Sequence, residues 1–183
     1  QIYAGDAGRI DSDLDGLGVK RPDLAGRALF LKGCHALKQG RYEDAVSCFE
    51  KAGGSGAEQG LDLKAGFHRA AALCLAASPK AERPDPKTAR LVICGLGIRP
   101  PYTATGEVLR AVRDSDFIFN NLSEPEVAGL LRLLSSDGRP TMFDIRGADE
   151  RWTRTIFKEV RPGRTVAFVT RGHPVVCGGL AGG

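Results

Sequence analysis

The sequence has no apolar stretch of the roughly 20 residues that a membrane-spanning helix needs. It also has no amino-terminal segment in which positive charge precedes an apolar run, the pattern of a secretion signal. We therefore expect a soluble, cytoplasmic protein with no membrane partner. The first residue is Gln1 rather than methionine, and the last residues, Leu180 to Gly183, carry no helix pattern, so we expect a segment of a longer protein.

Cysteine occurs in a pattern that supports neither a disulfide framework nor a zinc site. The five residues are odd in number, scattered, and never form a Cys-x-x-Cys pair. They are Cys34, Cys48, Cys74, Cys94 and Cys177. We expect reduced, small apolar side chains and no bound metal ion.

No run of lysine or arginine is present of the kind that follows a nucleic-acid backbone. The chain carries ten basic and ten acidic residues up to Ser78, and sixteen basic against twelve acidic residues from Pro79 onward. The whole net charge of +4 therefore lies in the second part. Because this excess is mild and dispersed, we expect no nucleic-acid partner.

What is present falls into segments of different character. Residues 1–24 are rich in glycine and aspartate and predict a flexible lead-in. Residues 25–78 carry a helical apolar period, and residues 79–89 are a linker by composition, with three prolines among charges. The period changes again at residue 90, where a second folded segment is predicted to run to residue 183.

The helical segment contains one repeat-like motif. Five small and aromatic residues lie on two helical runs joined near Gly40, and the stretch resembles a tetratricopeptide repeat. They are Gly33, Tyr42, Ala45, Phe49 and Ala52. Small residues let two helices approach while Phe49 fills the groove between them, and a degenerate second repeat follows. Such a pair cannot bury its faces alone, so a protein partner is one expectation.

The segment after residue 90 predicts an α/β fold with a parallel sheet and flanking helices. Four short apolar runs are typical of strands buried on both faces, and helical patterns separate them. The runs are Leu91–Gly95, Asp116–Asn120, Thr141–Ile145 and Thr165–Thr170. A helix begins near Thr103, one covers about 124–136 with Ser123 and Glu126 as a capping box, and one covers about 149–160.

Ligands of such sheets collect outside the carboxyl ends of the strands, and four loops follow those ends. The loops are Gly95–Ile98, Asn120–Ser123, Arg146–Gly147 and Arg171–Pro174. The glycines of the first loop suit a dinucleotide fingerprint, but Pro100 stands where its third glycine belongs. A nicotinamide cofactor is therefore disfavoured.

The order of these loops resembles the amino-terminal half of the tetrapyrrole methylase superfamily. The likeness covers about residues 90–181, from "LVICGLGI" through "DFIFNNLSEPEV" to "GRTVAFVTRGHP". Its matching positions are Asp116, Leu122, Pro125, Glu126, Gly163, Val166, Gly172 and Pro174, whereas Asn120 replaces an aspartate of the family pattern. His173 replaces the aspartate of the family's Gly-Asp-Pro loop, which resembles the borosin branch that methylates peptide backbones. Ile156 stands where that branch tends to have a tyrosine.

This resemblance implies a methyltransferase that uses S-adenosylmethionine and methylates a small molecule or a peptide. It also implies a homodimer when the protein is full length, and little activity in this segment alone because the family's second subdomain is absent. The residues expected at the cofactor are Gly95, Leu96, Gly97, Ile98, Asn120, Gly172, His173 and Pro174. His173 is also a weak catalytic candidate, as a base, because imidazole exchanges protons near neutral pH. Its alternative role is to fix the turn through a ring hydrogen bond.

Other polar and aromatic side chains are given structural roles. For Asn120 and Asn121 the alternatives are a ligand contact and a cap of the turn before Ser123; we favour the ligand contact for Asn120 and the cap for Asn121. We expect His35 and His68 to be structural or exposed. Trp152 and Phe157 are expected in the core. The alternative function is an interaction module, in which the helical repeat binds a protein and the α/β part is a degenerate scaffold.

Overall fold

The computed structural model describes residues 7–55, 60–82, 84–135, 141–142 and 150–172. The chain divides into two compact units, Gln1–Ser78 and Pro79–Gly183. The first is helical and the second contains the sheet. Each unit has its own packing and is described by itself.

The helical unit begins with α1 (Ala7–Lys20) and a short 3-10 turn (Pro22–Leu24). Three helices follow, α2 (Ala25–Lys38), α3 (Tyr42–Gly53) and α4 (Leu61–Ala76). Helices α2 and α3 are joined by a tight turn in which Gly40 takes a φ of +73°, a conformation that favours glycine. Helix α3 packs between α2 and α4.

The prediction of a flexible lead-in is wrong for residues 7–24, because these residues form α1 and the 3-10 turn. Among the α1 side chains that the structure describes, the partly buried apolar ones are Ile10 and Leu14, one turn apart. Polar bonds to the next helix supplement them: Asp11 binds His35 of α2 across 2.9 Å, and Lys32 binds Asp15 across 2.7 Å. The polar composition of this segment therefore does not predict a helix. Hydrogen bonds to residues distant in sequence stabilise α1.

The core of the helical unit depends on a close approach between α2 and α3. A Cβ atom on Gly33 would lie 2.7 Å from Cε1 of Phe49, and Phe49 itself is fully buried. The ring of Phe49 packs against Phe30 and His68 at centroid distances of 5.5 and 5.4 Å. His68 thus has the structural role that the sequence predicted, and burial lowers its pKa.

The second unit alternates strands and helices. Its strands are β1 (Arg90–Gly95), β2 (Phe117–Asn120), β3 (Thr141–Met142) and β4 (Thr165–Thr170). Its helices are α5 (Gly106–Arg113), α6 (Pro125–Leu134) and α7 (Glu150–Glu159). The strands pair in the order β1-β4-β2-β3, and all the pairs are parallel. The prediction of a parallel α/β sheet with helices between its strands is confirmed.

Strand β4 lies between β1 and β2 and is buried along its whole length. Its last residues, Val169 and Thr170, stand beside Asn120 of β2 and Gly95 of β1. The carboxyl ends of the three strands therefore meet at one edge of the sheet. Strand β1 departs from the prediction of burial on both faces, because Ile93 is exposed beside the buried Cys94.

One face of this sheet is covered by α7. Ile156 packs there on a buried cluster with Phe119, Val166 and Phe168. The prediction that Phe157 is a core residue is wrong, because that side chain is exposed. An α-helix turns about 100° per residue, so the residue after Ile156 cannot share its face. The side chain of Trp152 lies outside the described residues.

The predicted capping box of α6 is also wrong. The N-cap is Glu124, with φ −66° and ψ 126°, and no side chain caps this helix end. Proline forces the preceding residue out of helical conformation, so Pro125 makes Glu124 extended and the helix begins at Pro125. At α5 a side chain does cap the helix, since Thr105 accepts a hydrogen bond from the Val108 N–H.

The segment predicted to be a linker lies folded on the second unit in its described part. The Ala81 N–H donates to Asp114 Oδ2 across 3.1 Å, and the Arg113 guanidinium donates to the Pro79 carbonyl across 3.0 Å. The Gly163 N–H donates to the Thr88 carbonyl across 2.7 Å. Both edges of this segment are therefore tied to the unit that it precedes. Among the described helices of the chain, none is long and apolar enough to cross a membrane.

Candidate functional site

Three of the four predicted loops meet at the carboxyl edge of the sheet. The Leu96 N–H donates to the Thr170 carbonyl across 2.9 Å, and the Gly172 N–H donates to the Gly97 carbonyl across 2.8 Å. On the other side of β4, the Asn121 N–H donates to the Val169 carbonyl across 3.3 Å. We call residues 95–98, 120–123 and 171–172 the strand-end site. The loop at 146–147, His173 and Pro174 lie outside the described residues.

Gly97 and Gly172 form the centre of this site, facing each other across an isolated antiparallel bridge. Both have positive φ, +77° and +68°, where a side chain is strained. A side chain at Gly97 would also clash with a neighbouring residue, since its Cβ would overlap the hydroxyl of Thr103. That hydroxyl donates to the Leu96 carbonyl across 2.8 Å. The first loop therefore holds its shape through its own contacts.

The other predicted residues of the first loop are divided between core and solvent. The side chain of Leu96 is 1% exposed and lies in the core, so only its backbone reaches the site. Ile98 is 83% exposed. Gly95 ends β1 beside Thr170. The family resemblance implies that all these residues line one cleft, but it does not say which way each side chain turns.

The two asparagines after β2 differ in what their carbonyl oxygens do. Asn120 is buried, and its Oδ1 accepts a hydrogen bond from the Leu122 N–H across 3.2 Å, closing the turn. Asn121 is 9% exposed, and its Oδ1 has no hydrogen-bond partner among the described residues. The sequence predicted a ligand contact for Asn120 and the turn-capping role for Asn121. It is Asn120 that caps the turn.

Charged and phenolic groups border the site. Arg171, directly after β4, forms an ion pair with Glu124 at the start of α6. Burial and the negative charge of Glu126 raise the pKa of Tyr102, against the opposing effect of Arg99. The phenol therefore stays protonated at neutral pH. Neither Glu124 nor Tyr102 belongs to a strand-end pattern, so the sequence alone does not point to either residue.

The strand-end site is suited to binding rather than to acid–base catalysis. Its described interior consists of glycine backbone and asparagine amides, while its ionisable groups lie at the border. No cluster of three or more histidine, cysteine, aspartate or glutamate side chains that could hold a metal ion occurs in the described part of the chain. Cys94, behind the site in β1, is buried, which raises the pKa of its thiol to about 11 and makes it unreactive at neutral pH.

A separate cavity of about 500 Å³ lies at the opposite edge of the same sheet. It is lined by residues at the amino ends of the strands, among them Arg90 and Thr165, and by the end of α5. Its most buried charge, Arg113, is paired with Asp114 across 2.7 Å and also binds the Pro79 carbonyl. These contacts hold the segment before β1 in place. We therefore assign the polar groups of the cavity a structural role.

No protein-family model and no curated protein matches the sequence of the chain.

Proposed function

We propose that the chain is part of an S-adenosylmethionine-dependent methyltransferase of the tetrapyrrole methylase type, acting on a small molecule or a peptide. The observation that carries the proposal is the pairing of two positive-φ glycines, Gly97 and Gly172, at the carboxyl edge of a parallel sheet. Ligands of parallel sheets bind at this edge, and glycine lets the backbone approach a ligand closely.

The described residues fit such a cofactor. A buried acceptor without a partner among the described residues, Asn121 Oδ1, and the backbone of two positive-φ glycines suit a ligand that carries many N–H and O–H donors. When bound, S-adenosylmethionine supplies an electrophilic methyl group. The protein then has to orient the reacting groups and exclude water, which needs positioned backbone and amides more than a strong acid or base.

His173 keeps the role that the family resemblance suggests, as a cofactor contact and a weak candidate base, together with Pro174. Both residues follow Gly172, whose N–H is bound to the first loop. Replacing His173 with glutamine tests the two roles separately. A base would be revealed by loss of a pH dependence in the transfer rate, whereas a cofactor contact would be revealed by weaker binding at every pH.

The proposal is tested by calorimetry with S-adenosylhomocysteine on the full-length protein. We expect binding by the wild type and its loss in Gly172→Val, because a side chain there would fill space beside the first loop. Gly163→Val is the matched control: Gly163 also has a positive φ, +76°, but it precedes β4, and the nearest atom to a Cβ built there is the Pro86 Cα at 3.7 Å. A folded wild type without binding would refute the proposal, as would equal loss of binding in both variants.

A second candidate function belongs to the helical unit. We propose that its α2–α3 hairpin is a tetratricopeptide-like repeat that binds a protein. The Gly33–Phe49 approach and the full burial of Ala45 support the repeat, and the exposed Leu31 and Leu63 of α2 and α4 support a partner. If the folded full-length protein binds no S-adenosylhomocysteine, this interaction role becomes the better proposal, with the α/β unit as its scaffold.

A further inference from the structure

The side chain of Asn121 presents a hydrogen-bond acceptor that no described residue uses. The residue is 9% exposed, and Oδ1 has no partner among the described residues. Buried polar atoms in proteins are nearly always paired, and an unpaired one destabilises the fold that contains it. An oxygen kept in this state at the edge where ligands bind calls for a donor from outside the fold.

The backbone that carries this side chain is held by the sheet. Asn121 follows the last residue of β2 directly, and its N–H donates to the Val169 carbonyl of β4. Its two neighbours, Asn120 and Leu122, are both buried. A side chain anchored in this way is held before a ligand arrives, which favours binding because little freedom is lost.

The adjacent Asn120 shows that the turn does not need the Asn121 side chain. Oδ1 of Asn120 already accepts the Leu122 N–H and closes the turn. The two side-chain carbonyls therefore differ in their bonding. Oδ1 of Asn120 holds the loop, and Oδ1 of Asn121 has no partner among the described residues.

We propose that Asn121 is a cofactor-binding residue whose Oδ1 accepts a hydrogen bond from an N–H or O–H group of the S-adenosyl ligand. This inference rests on the proposed function, and it adds a residue for which the sequence favours the turn cap over a ligand contact. The complementary donors on such a ligand are its ammonium group, its ribose hydroxyls and its adenine amine.

The test compares Asn121→Leu with Asn120→Leu in the full-length protein. Leucine has nearly the shape of asparagine but no polar atom. In Asn121→Leu we expect the affinity for S-adenosylhomocysteine to fall by roughly tenfold or more, while the melting temperature without ligand stays equal or rises. In Asn120→Leu we expect the melting temperature to fall by roughly 4 to 8 °C, because the Leu122 N–H loses its partner.

Binding of a second ligand, S-inosylhomocysteine, identifies which group of the cofactor donates to Oδ1. This ligand has a ring carbonyl in place of the adenine amine and keeps the ammonium and ribose donors. If Oδ1 accepts from the amine, the wild type prefers the adenosyl ligand and Asn121→Leu loses this preference. If it accepts from the ammonium or the ribose, Asn121→Leu weakens both ligands equally.

Two results would overturn the inference while leaving the proposed function in place. One is unchanged affinity in Asn121→Leu, and the other is a fall in its melting temperature as large as that of Asn120→Leu, which would show a structural role. Absence of binding by the folded wild type is a separate result, visible without any variant. It would refute the proposed function and this inference together.

Discussion

Replacing Gly33 with alanine should destabilise the helical unit, whereas replacing Gly66 with alanine should stabilise it. Gly33 lies inside α2, where alanine has the higher helix propensity by about 1 kcal/mol. Its built Cβ, however, would lie 2.7, 2.8 and 3.0 Å from three ring atoms of Phe49. Phe49 is fully buried and packs against Phe30 and His68, so its ring has no free space to move into.

The magnitude follows from these two opposing effects. Overpacking a filled core costs about 1 to 3 kcal/mol, which exceeds the propensity gain of about 1 kcal/mol except at the lower limit. We expect Gly33→Ala to lower the free energy of unfolding by up to about 2 kcal/mol. Gly66→Ala is the control, because Gly66 lies inside α4 with no atom within 4 Å of its built Cβ. It should raise the free energy of unfolding by about 0.5 to 1 kcal/mol.

Urea unfolding followed by circular dichroism at 222 nm measures both variants against the wild type. The decisive quantity is the difference in sign between the two changes in the urea midpoint. An equal increase in stability for Gly33→Ala and Gly66→Ala would refute the close approach of α2 and α3. A further check is Gly33→Ala combined with Phe49→Leu, which should be more stable than the sum of the two single changes predicts.

Two further predictions concern the helical unit and its pH dependence. Burial favours the neutral form of Asp11, but hydrogen bonds from His35 and Arg41 prevail and lower its pKa; its contribution to stability is therefore complete above pH of about 4 and is lost as the pH falls through the lowered pKa. Asp11→Asn should remove that contribution and increase amide hydrogen exchange in α1, and unchanged exchange would contradict it. Burial lowers the pKa of His68, so the unfolded chain takes up a proton first as the pH falls below about 6.5 and stability decreases. The melting temperature of His68→Phe should decrease less than that of the wild type between pH 7 and pH 5, and parallel decreases would contradict this prediction.

The elements of the α/β unit were predictable because their signals are local. A strand buried in a parallel sheet is a short apolar run, and each of the four predicted runs contains a strand. The order β1-β4-β2-β3 was not predictable from those runs. It depends on which apolar faces pack together, and each run alone is compatible with several neighbours.

The errors in the helical unit and at α6 have a common physical origin. Helix α1 depends on bonds to residues more than fifteen positions away, such as Asp11 with His35 and Asp15 with Lys32. Its own residues are those of a flexible segment. At α6 a local pattern is misleading. Ser123 and Glu126 match a capping box, but Pro125 makes Glu124 extended, so the helix begins at Pro125.

Loops of glycine and asparagine after the strands were predictable from the sequence, because turn residues and apolar runs are local properties of the chain. The contacts between these loops were not, because they form only when the chain folds. A backbone hydrogen bond between the loops that follow β1 and β4 brings Gly97 against Gly172. One of two adjacent asparagines, Asn121, keeps an Oδ1 that has no partner among the described residues. Whether a polar atom is satisfied depends on partners brought from other parts of the chain, and two neighbouring asparagines look alike until those partners are in place.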